Sequence, residues 1–286
     1  HHVYASGFSE VSSLGVKPIA IPKPEAQSSS VVKESTSSTM RLLSLPEVIE
    51  WTVTEEHRFS TQAALWGLPT KTLLSLNPDY KADSKLKPGE VLTVHRRSLY
   101  EKAPQSVSSP SRGRLQYAVP IPEGRGYFLR SYRPRSWGTL NMVEALMTAF
   151  AAYADAYPEG PAVNMGDLSK RRGGKASPHK SHRSGRDVDF GLVHTSEPDP
   201  DHPERFVHAK ADNLDVEKTW FLLNALLKTG EVAVIYLDAS LQRLLYQEAI
   251  KSISVQEAQA IFAVPRHKNS SSALVQHWKG HKNHFH

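Results

Sequence analysis

Two serine-rich stretches divide this chain and limit what the rest of it can fold into. The first runs through residues 28–39, after a proline-rich segment, and the second covers residues 103–112. Neither holds enough apolar residues to form a core of its own. We therefore predict four parts: a low-complexity segment 1–48, a small domain 49–97, a linker 98–115 and a larger domain 116–286.

Composition excludes several classes of protein. The 286 residues include no cysteine, so a disulfide framework and a thiolate metal site are ruled out. No apolar run approaches the roughly 18 residues of a membrane span, and no secretory signal opens the chain. We expect a chain that is soluble, or already processed. Histidine is abundant, with 14 residues concentrated in the second half, and its imidazole is a common zinc ligand and a proton carrier near neutral pH.

The small domain has the pattern of a βααβ unit. Strands are predicted at 51–53 and 91–94, and helices at 61–66 and 71–76. This order resembles a LysM domain, a module that binds glycans containing N-acetylglucosamine. The matching residues are Val53, Leu65, Leu74, Asn77, Pro78, Leu86, Pro88, Gly89, Leu92 and Val94, whereas Glu55-Glu56-His57 replaces the usual Gly-Asp. The alternative is a structural module without a ligand.

The larger domain mixes helices and strands. Val143, Leu146, Met147 and Phe150 recur at the spacing of an amphipathic helix. Further helices are predicted at 216–227, 241–250 and 255–262, and strands at 188–193 and 232–237. This mixture indicates the α+β class, and we expect a central antiparallel sheet.

Three segments of the larger domain carry nitrogen and carboxylate donors: residues 173–182, 185–189 and 281–286. Alternation along a strand would place Asp187 and Asp189 on one face, and likewise His284 and His286. Two adjacent strands could then direct their donors into one cleft. Zinc hydrolases usually use three such ligands and leave one position open for water.

Taken together, these segments resemble the penicillin-insensitive murein endopeptidases, metallopeptidases related to D-alanyl-D-alanine dipeptidases, lysostaphin-type peptidases and the hedgehog domain. The resemblance covers about residues 129–286, and the family's last strand normally continues beyond the position of His286. It is carried by Gly166-Asp167-Leu168-Ser169, Gly173-Gly174, His179-Lys180-Ser181-His182, Gly185, Asp187-Val188-Asp189, Asn213-Leu214-Asp215 before Trp220, and Gly280-His281-Lys282-Asn283-His284-Phe285-His286.

The resemblance implies a role for each matching residue. The zinc ligands fall on His182, Asp189 and His286, and the histidine that handles the proton of water falls on His284. His179 and His281 line the site, either as catalytic support or as packing around the ligands. We expect Asp187 to hydrogen-bond a ligand or to hold its loop. We expect Arg183, which replaces the family's usual Gln, and Arg186 to attract the carboxylates of a substrate.

The activity implied is hydrolysis of D-alanyl to meso-diaminopimelyl cross-links in peptidoglycan, with diaminopimelyl-diaminopimelyl links as a variant, by metal-activated water. The partner is then the cell wall, and the location is the periplasm or outside the cell. Two alternatives stay open: a non-catalytic wall-binding protein with a structural or degenerate metal site, and a zinc amidase that separates stem peptide from glycan. The chain has neither a cysteine nucleophile nor a Gly-x-Ser-x-Gly elbow, and no RNA-binding signature or helix-turn-helix supports nucleic acid as a partner.

Overall fold

The structure, a computed structural model, describes residues 39–99, 103–264 and 272–286. Of the low-complexity segment predicted for residues 1–48, residues 1–38 lie outside the described residues. Beyond that point the backbone packs on the rest of the protein, since the amide of Leu45 donates to Glu144 and the Leu45 side chain is buried. The described residues all belong to one compact unit.

Residues 48–96 form a small module with the order β-α-α-β. Its main elements are β1 (Val48–Thr52), β2 (His57–Arg58), α1 (Phe59–Leu65), α2 (Thr70–Leu76), β3 (Lys85–Leu86) and β4 (Val91–Arg96). β1 pairs antiparallel with β4, and the apolar faces of both helices are buried against this pair. The buried Asn77 joins α2 to β4, because its side chain exchanges hydrogen bonds with the backbone of Thr93 at 2.8 and 2.9 Å. The resemblance to a LysM domain stays a prediction.

The segment predicted as a linker, residues 98–115, contains regular structure. A 3-10 turn at Arg97–Leu99 precedes the antiparallel strands β5 (Gln105–Val107) and β6 (Arg114–Gln116). The turn of this hairpin is held by residues far along the chain: the amide of Arg183 donates to Pro110 at 3.1 Å, and the Arg186 guanidinium donates to the Ser108 carbonyl at 2.7 Å. The hairpin therefore belongs with the domain that follows it.

The C-terminal domain, residues 105–286, combines short strands with four helices in the part that the structure describes. Its other elements are β7 (Val119–Pro120), β8 (Tyr127–Leu129), β9 (Trp137–Gly138), α3 (Leu140–Ala156), β10 (Val163–Met165), β11 (Phe190–Gly191), α4 (Val216–Lys228), β12 (Ile235–Leu237), α5 (Ala239–Ala249), α6 (Val255–Ile261), β13 (Val275–His277) and β14 (His284–Phe285). In α3 the predicted stripe is buried at Val143, Leu146 and Phe150. Side-chain caps at Thr139, Asp215, Asp238 and Ser254 begin the four helices. The mixture is α+β.

The sheet that carries the histidines has the order β14-β11-β10-β8. β14 and β11 are antiparallel, as are β11 and β10, but β10 and β8 are parallel. The prediction of a wholly antiparallel sheet is therefore wrong at one edge. The reason is that α3 connects β8 to β10 as a crossover, which returns the chain in the same direction. Among the described residues, no helix is long and apolar enough to cross a membrane.

The small module packs directly on the C-terminal domain. The Arg133 guanidinium is buried 3.3 Å from the ring centroid of Trp51, and the Arg133 amide donates to the Leu65 carbonyl at 2.7 Å. The indole of Trp137 donates to the Trp66 carbonyl at 2.9 Å. A buried cation over an aromatic face contributes about 2 kcal/mol, so these contacts fix the position of the module.

Candidate metal centre

His182 presents an unpaired acceptor in the interior of the protein. Its side chain is fully buried, and Nδ1 must be the donor to the Leu168 carbonyl at 2.7 Å, because a carbonyl only accepts. Nε2 is then a lone-pair acceptor, and it has no hydrogen-bond partner among the described residues. It lies 3.3 Å from Oδ2 of Asp189, which is also an acceptor. When Nε2 carries no proton, two acceptors face each other at this distance, and a metal ion between them would stabilise the arrangement.

The backbone at His182 is strained in a way that supports a functional role. Its φ angle is +60°, a left-handed conformation that a residue with a side chain adopts at a cost of order 1 kcal/mol. Hydrogen bonds of the neighbouring residue hold the strained segment, since Arg183 donates its amide to Pro110 and accepts from the Gly174 amide at 2.9 Å. The surrounding loops therefore impose the direction in which the His182 imidazole points.

Asp189 stands among four imidazoles. Its Oδ2 faces His182 and also His179, whose Nδ1 is 3.7 Å away. Its Oδ1 faces His286 at 2.7 Å and His284 at 3.8 Å. Burial opposes ionisation of this carboxyl, but the neighbouring imidazoles of His182 and His286 outweigh burial and lower the pKa of Asp189 well below its usual value. The carboxylate is therefore charged at neutral pH and available as a ligand.

Strand register brings His286 to Asp189. β11 and β14 pair antiparallel with Phe190 opposite Phe285 and Gly191 opposite His284. One step further along the same register, Asp189 lies opposite His286, which explains their close contact across residues far apart in sequence. Nε2 of His286 is 3.6 Å from Asp187. Burial would lower the pKa of His286, but the two aspartates outweigh it and raise that pKa to about 9.

His179 completes a cluster with His182 and Asp189. The potential ligand atoms of these three residues all lie within 4.8 Å of one another, so the group could hold a metal ion. Nε2 of His179 is 2.8 Å from Oδ2 of Asp167, which leaves Nδ1 directed to Asp189. This group contains two of the residues predicted as zinc ligands, His182 and Asp189, with His179 in place of His286. His286 contacts the other oxygen of Asp189, and its role as a ligand stays a prediction.

His284 and His281 form the wall next to His286. Nδ1 of His284 donates to the Asn283 side chain at 2.7 Å, so Nε2 is the free acceptor that faces Asp189. Burial lowers the pKa of His284 to about 4. The ring centroid of His281 is 4.7 Å from that of His284. Burial lowers the pKa of His281, and Nδ1 of His281 has no hydrogen-bond partner among the described residues.

The other predicted site residues lie around this cluster. Asp187 is buried and contacts His286, within reach of a predicted ligand. Arg186 is exposed and holds the β5–β6 hairpin through Ser108. Arg183 is half-buried, and its Nε has no hydrogen-bond partner in the described ranges. Among those residues, no contact joins either guanidinium to the four imidazoles.

Sequence reasoning assigned no role to two groups that contact the histidines. The carboxylate of Asp167 accepts hydrogen bonds from His179 and from the Arg135 guanidinium, the latter at 2.7 Å. Burial opposes the negative charge of Asp167, but these two partners outweigh burial and lower its pKa. Asp167 lies within the Gly166–Ser169 segment that resembles the family, so this resemblance could have marked Asp167 as a site residue. Phe206 stacks on His284 with ring centroids 5.0 Å apart and an interplanar angle of 10°. Nothing in the local sequence pattern marks Phe206, because its partner is 78 residues away.

The family model for penicillin-insensitive murein endopeptidases matches residues 106–286. The match covers more than half of the chain, and it begins within β5. A comparison with curated proteins finds no match. The chain belongs to the penicillin-insensitive murein endopeptidase family, a family of peptidases that act on the peptidoglycan of the cell wall.

Proposed function

We propose that this protein is a zinc-dependent endopeptidase that cuts D-alanyl to meso-diaminopimelyl cross-links in peptidoglycan, with diaminopimelyl-diaminopimelyl links as a second substrate. The family match supports murein as the substrate. The observation that supports a metal ion is the buried Nε2 of His182, which faces the Asp189 carboxylate at 3.3 Å and has no hydrogen-bond partner among the described residues.

The residues present fit zinc in kind and position. We assign His182, Asp189 and His286 as the ligands, since two imidazoles and one carboxylate are a common donor set for catalytic zinc. A bound zinc ion supplies the Lewis acidity that lowers the pKa of water towards about 7 and polarises the scissile carbonyl. Asp187 contacts the far nitrogen of His286 and orients that ring, as carboxylates commonly do for metal-bound histidines.

Three histidines of the chain handle protons and charge around the proposed ligands. His284 accepts the proton of the attacking water at Nε2, because Nδ1 is already used as a donor to Asn283, and it delivers the proton to the leaving amine. His281 and His179 flank the cluster on opposite sides, where an N–H group can stabilise the developing negative charge of the substrate oxygen.

The small module would hold the glycan strand if its resemblance to a LysM domain reflects function. The contacts of Arg133 with Trp51 and of Trp137 with Trp66 fix the module on the C-terminal domain. A glycan bound there would keep its peptide stems at a constrained distance from the metal centre and raise their local concentration. The corresponding location is the periplasm or the cell exterior, where the cell wall lies.

The decisive experiment digests cross-linked sacculi and determines the mass of the products. The protein loaded with zinc is expected to bind about one zinc ion and to release monomeric muropeptides. Treatment with a chelator, or the substitution His182→Ala, should stop the release, whereas His202→Ala, at an exposed histidine that takes part in none of the ion-pair contacts of the cluster, should leave it unchanged.

The alternatives give different products. Glycan chains freed of intact stem peptides would indicate an amidase. Sacculi that are bound but not cut would indicate a non-catalytic wall-binding protein. Release that survives both chelation and His182→Ala would overturn the metallopeptidase proposal.

A further inference from the structure

A cationic cleft lies on the side of the C-terminal domain where the β5–β6 hairpin meets the loop that leads to His182. Its volume is about 710 Å³, and its lining includes Arg114 of β6, Arg171 and Arg172 of the loop, and Tyr117. The notable feature is three guanidinium groups on one concave surface.

None of these three arginines forms an ion pair or a side-chain hydrogen bond with another of the described residues. Other arginines of the chain are paired, such as Arg135 with Asp167 at 2.7 Å. Like charges around one cleft repel each other and concentrate anions from solution. A guanidinium also offers a planar pair of donors that matches a carboxylate. The cleft therefore has the chemistry of a carboxylate-binding site.

The backbone of the cleft is built for this shape. Gly173 has a φ angle of +66°, and a Cβ there would lie 2.2 Å from the carbonyl oxygen of Arg183, so only glycine fits. The turn is fixed at both ends, because Leu115 donates its amide to Arg172 at 3.2 Å and Gly174 donates to Arg183 at 2.9 Å. Tyr117 also has a positive φ of 53°. The arginines are thus carried by a constrained loop rather than by a free one.

The same loop carries the first metal ligand. Gly174 is hydrogen-bonded to Arg183, which follows His182 in sequence, so the rim of the cleft is within about 10 Å of the His182 backbone. An extended peptide spans roughly 3.3–3.6 Å per residue. A carboxylate two or three residues from the cut bond can therefore reach the cleft.

We propose that the cleft of Arg114, Arg171 and Arg172 binds a free carboxylate of the peptide stem and so selects substrates that carry one. This proposal rests on the proposed function, because it names a substrate group for the same reaction. Arg171 and Arg172 together form the part of the cleft that a double substitution can remove without changing the β5–β6 hairpin.

The test compares two synthetic cross-linked muropeptides, one with free carboxylates and one with these groups amidated, on the zinc-loaded protein. For Arg171→Gln with Arg172→Gln, we expect KM for the free form to rise about tenfold, with kcat within about twofold. Amidation should raise KM of the wild-type protein to a similar extent and should have little further effect on the double variant. The control pair Arg112→Gln with Arg243→Gln removes the same charge at exposed positions outside the cleft.

Several outcomes overturn the proposal. An equal rise in KM for the control pair would mean general attraction by net charge, and an unchanged response to amidation in the double variant would place the carboxylate elsewhere. If the wild-type protein cuts neither substrate, the proposed function fails, but the cleft is still judged by calorimetric binding of the uncut muropeptides to the same variants. If the double variant lost oligonucleotide binding but kept muropeptide binding, the cleft would be assigned to nucleic acid instead.

Discussion

His95 provides a quantitative test of how the small module is attached. It lies in β4 with 1% of its surface exposed, and its ring meets the edge of Trp137 with centroids 6.4 Å apart. Burial, together with the charge of Arg171 from the C-terminal domain, lowers the pKa of His95 to about 4. The substitution His95→Gln removes this titration and keeps a polar side chain of similar size.

The sign of the effect follows from where the proton binds. The pKa of His95 in the unfolded chain is about 6.5, above its folded value of about 4. Between these values the unfolded state binds more protons, so the free energy of unfolding rises with pH across that window. Linkage gives a contribution of about 2 kcal/mol between about pH 5 and pH 7.

The assay is urea unfolding of both proteins at several pH values across this window. The wild-type protein is expected to lose about 2 kcal/mol more than His95→Gln when the pH falls from about 7 to 5. Buried histidines common to both proteins cancel in the comparison, and the exposed His208→Gln should follow the wild-type curve. Parallel curves for wild type and His95→Gln would mean that His95 is hydrated and that the module is loosely attached.

Three further predictions concern the metal centre and the cationic loop. Phe206→Leu removes the ring stacked on His284, and steady-state kinetics should show kcat lowered about tenfold with little change in KM; an unchanged kcat would contradict a positioning role. Asp167→Asn removes the carboxylate that holds His179, and steady-state kinetics should show kcat lowered about tenfold, with zinc affinity in competition with a chelator unchanged; a loss of zinc affinity would instead make His179 a ligand. Gly173→Ala should lower the free energy of unfolding in urea by more than about 2 kcal/mol, because its Cβ meets backbone at 2.2 Å, whereas Gly174→Ala, with open space at the Cβ, should cost about 1 kcal/mol. An equal loss of unfolding free energy in the two variants would show that the loop backbone moves to accommodate the Cβ at residue 173.

Local patterns predicted the elements that carry the site. The stripe from Val143 to Phe150 predicted α3, because burial of one helix face repeats every three or four residues. Alternation along the last strand predicted His284 and His286 on one face, and in the structure both rings lie near Asp189, at 3.8 and 2.7 Å. These features depend on residues close in sequence, and a pattern of side-chain types records them directly.

Features that depend on distant partners were not predictable in this way. Residues 103–112 have the composition of a linker, yet the β5–β6 hairpin satisfies its turn through the backbone of Arg183 and the side chain of Arg186. Arg133 would be expected at the surface, but it is buried because Trp51 and Trp66 supply aromatic faces from another part of the chain. In each case the stabilising partner is set by tertiary structure, which composition does not encode.

The aromatic core fixes the geometry of the metal centre. Phe190 and Phe285 are paired across β11 and β14, both are almost fully buried, and their rings are 5.1 Å apart. A slip of β14 by one residue against β11 would move the Phe285 ring out of the core and turn His286 away from Asp189. Since each buried phenylalanine contributes about 1.5–3 kcal/mol, the slipped register is strongly disfavoured. Asp189 and His286, the two residues proposed as ligands, are therefore held in place by burial of their neighbours in sequence.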